Sequence, residues 1–417
     1  VQLKTILNHV ERHKSFVYQE ARWADSQQAI EVPIAPRANG QAVCSGCGEK
    51  RPGYDRLPER RFAYVPLWQI SVFLVYAMRR VDCPACGVKV ERVPWCDGKS
   101  QLTTTYRWFL AAWAKRLSWR GTALAFDTSW QNVFRSVRHA VLWGLAHRGL
   151  EGIEAIGVDE VAWKKGHKYL TLVYQIDEGG QAASVDRSGP HRGGVRGVLR
   201  GAGKGAFRQT EVRVSAEGGW KPYLKVIAAR AGQAVHVLDR FHIMQKMNGA
   251  IDEIRAGEAK QMKADGYEPV LKHSRWCLLK RKENLTEKQT VKLSELLKYN
   301  LRSVRAHLLR GDFQRFWEYV SPGWAGRFLD EWCTRTMRSQ LEPMKKVART
   351  LRSHRRLILN WFRAKGAYSS GVVEGFNNKV KLTTRKSYGF RTYEAAQIAL
   401  YHNLGSLPEP EFTHRFW

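Results

Sequence analysis

Hydrophobic and polar positions change their spacing several times along this chain, and each change marks an expected element. Residues 1–40 mix the two without a clean period, which predicts a helix over 4–20 and then a linker closing on the loop-like run VPIAPRANG. Region 41–98 is dominated by turn residues and cysteine. From 101 to 150 apolar residues recur every three to four positions, the spacing of amphipathic helices. Beyond Gly152 the period shortens, and IEAIGVDEVAW, KYLTLVYQID and QAASVDR predict three successive strands. RGGVRGVLRGAG follows as a glycine-interrupted crossover, EVRVSA as a fourth strand, WKPYLKVIAARA as a helix and AVHVLD as a fifth strand. That order predicts an α/β domain with a mixed sheet. Residues 241–370 carry almost no strand pattern and predict a long basic helical region. Final helices are expected over 371–382 and 391–404, before a proline-rich tail.

Charge adds a partner to this outline. The 417 residues hold 69 Lys and Arg against 38 Asp and Glu, a formal net charge of +31. Ion-pair networks need both signs in similar numbers, so the excess must face solvent or a polyanion. Phosphate contacts with counterion release make double-stranded DNA the expected partner. An RNA-binding structural role has no motif of its own here. Sixteen Trp argue for packed or stacked rings and against disorder. The apolar run 67–77 contains Gln69 and is too short to cross a bilayer, so no membrane contact is expected. The first residues alternate charged and apolar side chains without a cleavable signal pattern, so the chain is expected in the cytoplasm, associated with the nucleoid.

Four of the seven cysteines form two Cys-x-x-Cys pairs, Cys44 with Cys47 and Cys83 with Cys86, followed by Gly48 and Gly87. Without a secretion signal, metal ligation is the natural chemistry for such thiols. Two knuckles supply the four sulfurs of a structural Zn²⁺ site, and the glycines permit the tight turns that aim backbone N–H groups at sulfur. Cys96 is a possible substitute ligand; Cys277 and Cys333 lie in helical context and read as core. The following helical stretch divides into TTTYRWFLAAWAKRL, SWRGTALAF and TSWQNVFRSVRHAVLWGLAHR. Three helices with short connections, the third capped by Asp127-Thr128-Ser129 and carrying Gln131, Asn132, Arg135 and Arg138, fit a helix-turn-helix that reads DNA.

Carboxylates punctuate the strand pattern. Asp159 ends the apolar part of its strand and Asp239 closes AVHVL. Glu374, in the helix after the all-helical region, shares a face with Asn377, Asn378 and Lys381, and Gly371 and Gly375 leave room for a close approach. Phosphodiester chemistry uses two hard cations held by clustered carboxylates.

The runs GVDEVAWKKGHKYLTLVYQID, VLDRFHIMQKMNGAIDEIRAGE and SSGVVEGFNNKVKLTTRKSYGFRTYE together resemble the insertion-sequence transposases of the ISL3 (L-three) family, of DDE type. The resemblance runs from Cys44 to the tail PEPEFTHRFW. It implies an α/β ribonuclease H-like catalytic domain interrupted by an all-helical insertion, with an N-terminal zinc ribbon and helix-turn-helix. The expected domains are an N-terminal helix and linker (1–40), the ribbon (41–98), the helix-turn-helix (99–150) and the catalytic domain (151–240 plus 371–404). A helical insertion (241–370) and a tail (405–417) complete the chain. It further implies binding of terminal inverted repeats, cleavage and strand transfer with two catalytic Mg²⁺ ions, and a homo-oligomer on DNA. Carried over, Asp159 is the first catalytic acid and Glu374 the last. The family pattern places the middle acid two residues before the Trp of Trp220-Lys221-Pro222-Tyr223, where this chain has Gly218. Glu217, one position upstream, and Asp239, in the Asp-Arg-Phe-His run, are the alternatives for that role. A catalytically inactive, DNA-binding remnant is the alternative for the whole chain.

From 335 to 391 there are 15 Lys or Arg and only two acids, Glu342 and Glu374. Like charges at that density repel along a helix, so this strip is expected to lie on DNA phosphates, with Asn377, Lys381, Arg385 and Lys386 as backbone contacts.

Overall fold

The helix expected over 4–20 is cut short: α1 (Leu3–Val10) stops before Glu11, and Phe16–Tyr18 is a strand, β1. In this computed structural model the residues described are 2–24, 28–149, 155–164, 168–175, 182–188, 211–214, 236–238, 240–268, 270–363 and 370–411. Phe16 and Tyr18 are buried on alternate positions, and Phe16 packs edge-on against Trp95 at 4.9 Å. An α-helix would turn those two rings about 200° apart. The expected linker is likewise sheet. After β2 (Arg22–Trp23), β3 (Ala29–Pro36) buries Val32 and Ile34, an alternation that Pro33 and Pro36 disguise as a loop.

A small pair, β4 (Ala42–Val43) and β5 (Lys50–Arg51), precedes a long hairpin of β6 (Gly53–Leu67) and β7 (Ile70–Cys83), to which β8 (Gly87–Val90) adds. The main strand order is β1-β3-β7-β6, with β3 parallel to β7. Trp95 fills the core, ringed by Phe16, Tyr76 and Phe62 in edge-on contacts. Beside it the buried Glu91 accepts from the Tyr76 hydroxyl at 2.6 Å, the Arg79 backbone N–H at 2.7 Å and the Arg79 guanidinium at 2.7 and 2.9 Å. A carboxylate removed from water needs all of these donors.

Three helices follow, α2 (Thr104–Arg116), α3 (Trp119–Ala125) and α4 (Trp130–His147). Each begins on a hydroxyl that accepts from its own first turn: Thr103 from Tyr106 N–H, Ser118 from Gly121 N–H and Ser129 from Asn132 N–H. Val133, Val137, Ala140, Val141 and Gly144 form the buried stripe of α4.

The five strands expected after Gly152 are all present: β9 (Ala155–Lys164), β10 (Lys168–Gln175), β11 (Ala182–Ser188), β12 (Glu211–Val214) and β13 (His236–Leu238). They are ordered β11-β10-β9-β12-β13, with β9, β10 and β11 antiparallel and β12 parallel to both β9 and β13. The crossover 192–203 and the helix expected at 220–231 lie outside the described residues. The helical region comprises α5 (Arg240–Ala264), α6 (Arg275–Leu279), α7 (Glu287–Leu296), α8 (Arg302–Gln314), α9 (Pro322–Arg338), α10 (Glu342–Ser353) and α11 (Arg355–Arg363). One core runs from the sheet residues Ile156, Val173 and Leu238 into Phe313, Phe316, Trp332 and Met344 of these helices. Cys277 and Cys333 are buried within it.

Two helices close the chain, α12 (Ser370–Lys386) and α13 (Tyr393–Leu404). The chain divides into one unit of Val1–Gly149 with Leu382–Trp417 and another of Leu150–Lys381, the division falling within α12. Thus α13, which the sequence pattern groups with the α/β domain, packs on α4. It buries Ala395, Ala396, Ile398, Ala399, Leu400, Tyr401 and Leu404 around almost its whole circumference. Gly144 of α4 admits the chain beyond it: a Cβ there would stand 2.6 Å from Leu407 Cβ and 3.1 Å from the Pro408 carbonyl oxygen.

Candidate metal centre and nucleic-acid interface

The two cysteine knuckles sit where strand ends meet. Cys44 follows β4 and bridges to Glu91, and Cys83 ends β7 in register with Gly87 of β8. Positive φ at Gly48 (79°) and Gly87 (71°) closes both turns. Sulfur atoms of Cys44, Cys47, Cys83 and Cys86 all lie within 4.8 Å of one another, with Cys47 to Cys83 at 3.7 Å. Four ligands at about 2.3 Å around one ion stand roughly 3.8 Å apart, so the donor set fits a tetrahedral cation. Gly46 N–H points at the Cys44 sulfur at 3.4 Å, and a Cβ on Gly46 would stand 2.8 Å from the Cys86 sulfur.

The thiols are primed for a cation. N–H groups of Cys47 and Gly46 lower the pKa of Cys44. Burial opposes ionisation of Cys83, but the N–H groups of Cys86 and Ala85 and the neighbouring sulfurs overcome it and bring that thiol down to about 6. Cys86 is pushed up to about 11 by burial and by the charge of its neighbours. A cation shared by the four sulfurs would relieve the repulsion between neighbouring thiolates. The Arg51 guanidinium interacts with the sulfurs of Cys83 and Cys47, which raises its pKa, and it offsets part of the surplus negative charge. Nothing in the sequence pattern singled out Arg51; its role depends on the β4–β5 pairing. Cys96 stands apart, donating to the Ser100 carbonyl at 3.0 Å.

On α4, Gln131 and Arg135 are exposed, and Asn132 is half-buried with its amide donating to Thr128 Oγ at 3.1 Å. Arg138 pairs with Glu394 of α13 at 2.8 Å, an exposed contact of at most about 1 kcal/mol. On α12, Lys381 and Arg385 are exposed. Lys386 instead turns inward, its ammonium donating to the carbonyls of Lys115 at 2.8 Å and Ala114 at 3.4 Å, at the C-terminal end of α2. That is the favourable end of the helix dipole for a cation, and burial lowers the Lys386 pKa. Parts of the basic strip are neutralised within the fold, Arg335 by Asp312 and Arg355 by Asp330.

Of the four candidate catalytic acids, Glu217 and Asp239 lie outside the described residues. Asp159 belongs to β9, the middle strand of the sheet, in register with Leu172 of β10. Leu172 and Tyr174, two residues apart on β10, share one face of that strand. Tyr174 meets the helix that carries Glu374. Its ring stacks on Phe376 at 4.6 Å, and its hydroxyl donates to Asn377 Oδ1 at 3.4 Å. The strand that carries Asp159 and the helix that carries Glu374 are thereby joined, although some two hundred residues of chain separate them. Among the described residues the cysteine site is the single convergence of three or more metal-ligating side chains. No helix among them is long and apolar enough to cross a membrane.

Comparison with known proteins places this geometry in context. Residues 156–400 match the ISL3 family model described as transposase, and residues 40–86 match the one described as the zinc-finger of transposase IS204/IS1001/IS1096/IS1165. The transposase for insertion sequence element IS1001 of Bordetella parapertussis is 27% identical over 89% of this chain and 90% of its own. The transposase for IS1557 of Mycobacterium tuberculosis is 26% identical over 98% of this chain and 95% of its own.

Proposed function

This chain belongs to the ISL3 family of DDE transposases, and from that membership we propose that it binds the terminal inverted repeats of an insertion sequence and carries out metal-dependent DNA cleavage and strand transfer there. The observation that carries the catalytic reading is the Tyr174 contact with Phe376 and Asn377, which ties the strand of Asp159 to the helix of Glu374. The strand order β11-β10-β9-β12-β13, with the helical region between β13 and α12, supports the ribonuclease H-like reading. Asp159 and Glu374 present hard oxygen donors suited to Mg²⁺, with Glu217 or Asp239 as the third acid. Two such ions, when bound, stabilise charge on the attacking and leaving oxygens. The attacking oxygen, first of water and then of a DNA 3′-hydroxyl, approaches phosphorus in line with the bond that breaks, without a covalent protein intermediate.

Zn²⁺ at the four cysteines holds the N-terminal sheet. The capped helices α2–α4 act as a helix-turn-helix, with Gln131, Asn132 and Arg135 at the reading end of α4 and Arg138 exchanging Glu394 for phosphate. Lys381 and Arg385 follow the backbone near the cut, and the protein works at the nucleoid as a homo-oligomer on DNA. Gly218, in place of the family's middle acid, favours a second reading, an inactive DNA-binding remnant.

The test uses purified protein and duplexes carrying the element's ends. Asp159→Asn and Glu374→Gln should each abolish cleavage while end binding persists, and one of Glu217→Gln and Asp239→Asn should do the same. A wild-type chain that binds ends but never cleaves with Mg²⁺ or Mn²⁺ establishes the remnant.

A further inference from the structure

The β6–β7 hairpin ends in a two-residue turn, Leu67 pairing with Ile70. Its central residues are Trp68 and Gln69, with φ of 48° and 68°. Positive φ at both positions is the geometry that selects Asn-Gly, because side chains beyond Cβ crowd the backbone there. Trp68 is also 85% exposed. The fold therefore bears backbone strain and an unburied indole at one point, and neither is repaid within the described residues. Such strain points to a role outside the fold.

The surroundings indicate which role. A groove of about 430 Å³ lies just behind the turn. One wall is the hairpin, through Arg61, Pro66 and Ser71; the other is the start of α4, through Thr128, Ser129 and Asn132. The turn thus projects beside the end of α4 that carries Gln131, and both belong to the same unit. We propose that the Leu67–Ile70 turn is a second DNA-contacting element, a wing whose Trp68 ring packs on the deoxyribose edge of the duplex beside the segment read by α4, the strand backbone passing along the groove. This rests on the DNA-binding function proposed above. An indole suits it because every deoxyribose has an apolar face, and a contact with the sugar carries no sequence information.

The test measures affinity for a duplex taken from the DNA flanking the gene and for a random duplex, across a salt series. Trp68→Ala should weaken binding roughly ten-fold, as expected when about half of a large aromatic side chain is no longer taken out of water. The salt slope should not change, because no charge is removed, and Trp68→Phe should recover most of the loss. The decisive variant is Trp68→Asn with Gln69→Gly, which installs the turn's preferred residues: it should raise the melting temperature and lower DNA affinity together. Unchanged affinity in this variant and in Trp68→Ala, while the wild type binds DNA, overturns the wing alone. A wild-type chain that binds no duplex overturns the DNA-binding reading beneath it. Loss of self-association by ultracentrifugation, at constant DNA affinity, assigns Trp68 to a second copy of the chain and overturns the proposal as well.

Discussion

Gly144→Ala tests whether the chain's last segment really closes on α4. In an exposed helix interior this substitution stabilises by about 0.8–1.0 kcal/mol, since alanine has the higher helix propensity. Here the new methyl would meet Leu407 Cβ at 2.6 Å and the Pro408 carbonyl at 3.1 Å. Neither atom is the free end of a flexible side chain, so the 405–409 segment must move as a piece. Overpacking of this kind costs about 1–3 kcal/mol. If the segment detaches instead, it forfeits the half-burial of Leu407, about 1 kcal/mol, and the exposed Lys115–Glu409 pair. The net expectation is a loss of up to about 2 kcal/mol, or a drop of a few degrees in the melting transition of a unit this size. Scanning calorimetry reads it directly. The control is a chain ending at Gly405, in which the same substitution should become stabilising. A Gly144→Ala full-length protein that melts a few degrees higher than wild type would refute the docking of this segment on α4.

Other consequences are equally accessible. Cys47→Ser should abolish stoichiometric zinc, and Gly46→Ala should lower zinc affinity by crowding the Cys86 sulfur, both read by chelator titration; an unaltered Gly46→Ala titration would mean that the knuckles stand further apart. Buried His402, whose pKa is depressed to about 3, is neutral when folded and charges near 6.5 when unfolded. Its contribution is complete above pH 6.5 and lost as pH falls towards 3, about 2 kcal/mol by pH 5. His402→Gln should flatten the stability difference between pH 7 and pH 5 by that amount, and parallel curves for the two proteins would contradict it. Replacing Lys381 and Arg385 together with Ala should weaken specific and random DNA alike and lower the salt slope by up to about two. Lys386→Ala should instead lower the melting temperature through the C-terminal end of α2 and leave the salt slope as it was.

The elements legible in advance are those whose evidence is local. β9, β10, β11, β12 and β13 announce themselves by alternation over a few residues, because the pleat converts a one-sided environment directly into a period of two. The helices α2–α4 are marked by their apolar spacing and short connections and, for α4, by the cap at Ser129, whose hydroxyl accepts from the N–H group three residues on. Cys44, Cys47, Cys83 and Cys86 are legible for the same reason, since each knuckle is complete within four residues. Family motifs nominate Asp159 and Glu374 as the acids to test, and they nominate no single middle acid, because Gly218 breaks the pattern there.

What the sequence could not settle is every choice among distant partners. Phe16 and Tyr18 follow an amphipathic helix and could have continued it; Trp95, far along the chain, draws them into the sheet. Pro33 and Pro36 suggest a loop until β7 offers β3 a parallel neighbour. The apolar surface of α13 suits many faces, and Gly144 decides for α4 by leaving space for Leu407. Lys386 and Arg138 read alike in the sequence, and the fold gives them different neighbours, the last carbonyls of α2 for one and Glu394 for the other, because a side chain's charge is written in the sequence while its nearest partner is not. Local sterics and hydrogen bonding within a few residues determined which helices, strands and knuckles form here. Which faces they bury against was decided by tertiary packing, where burial free energy depends on the area two surfaces remove from water together and on no property of either alone.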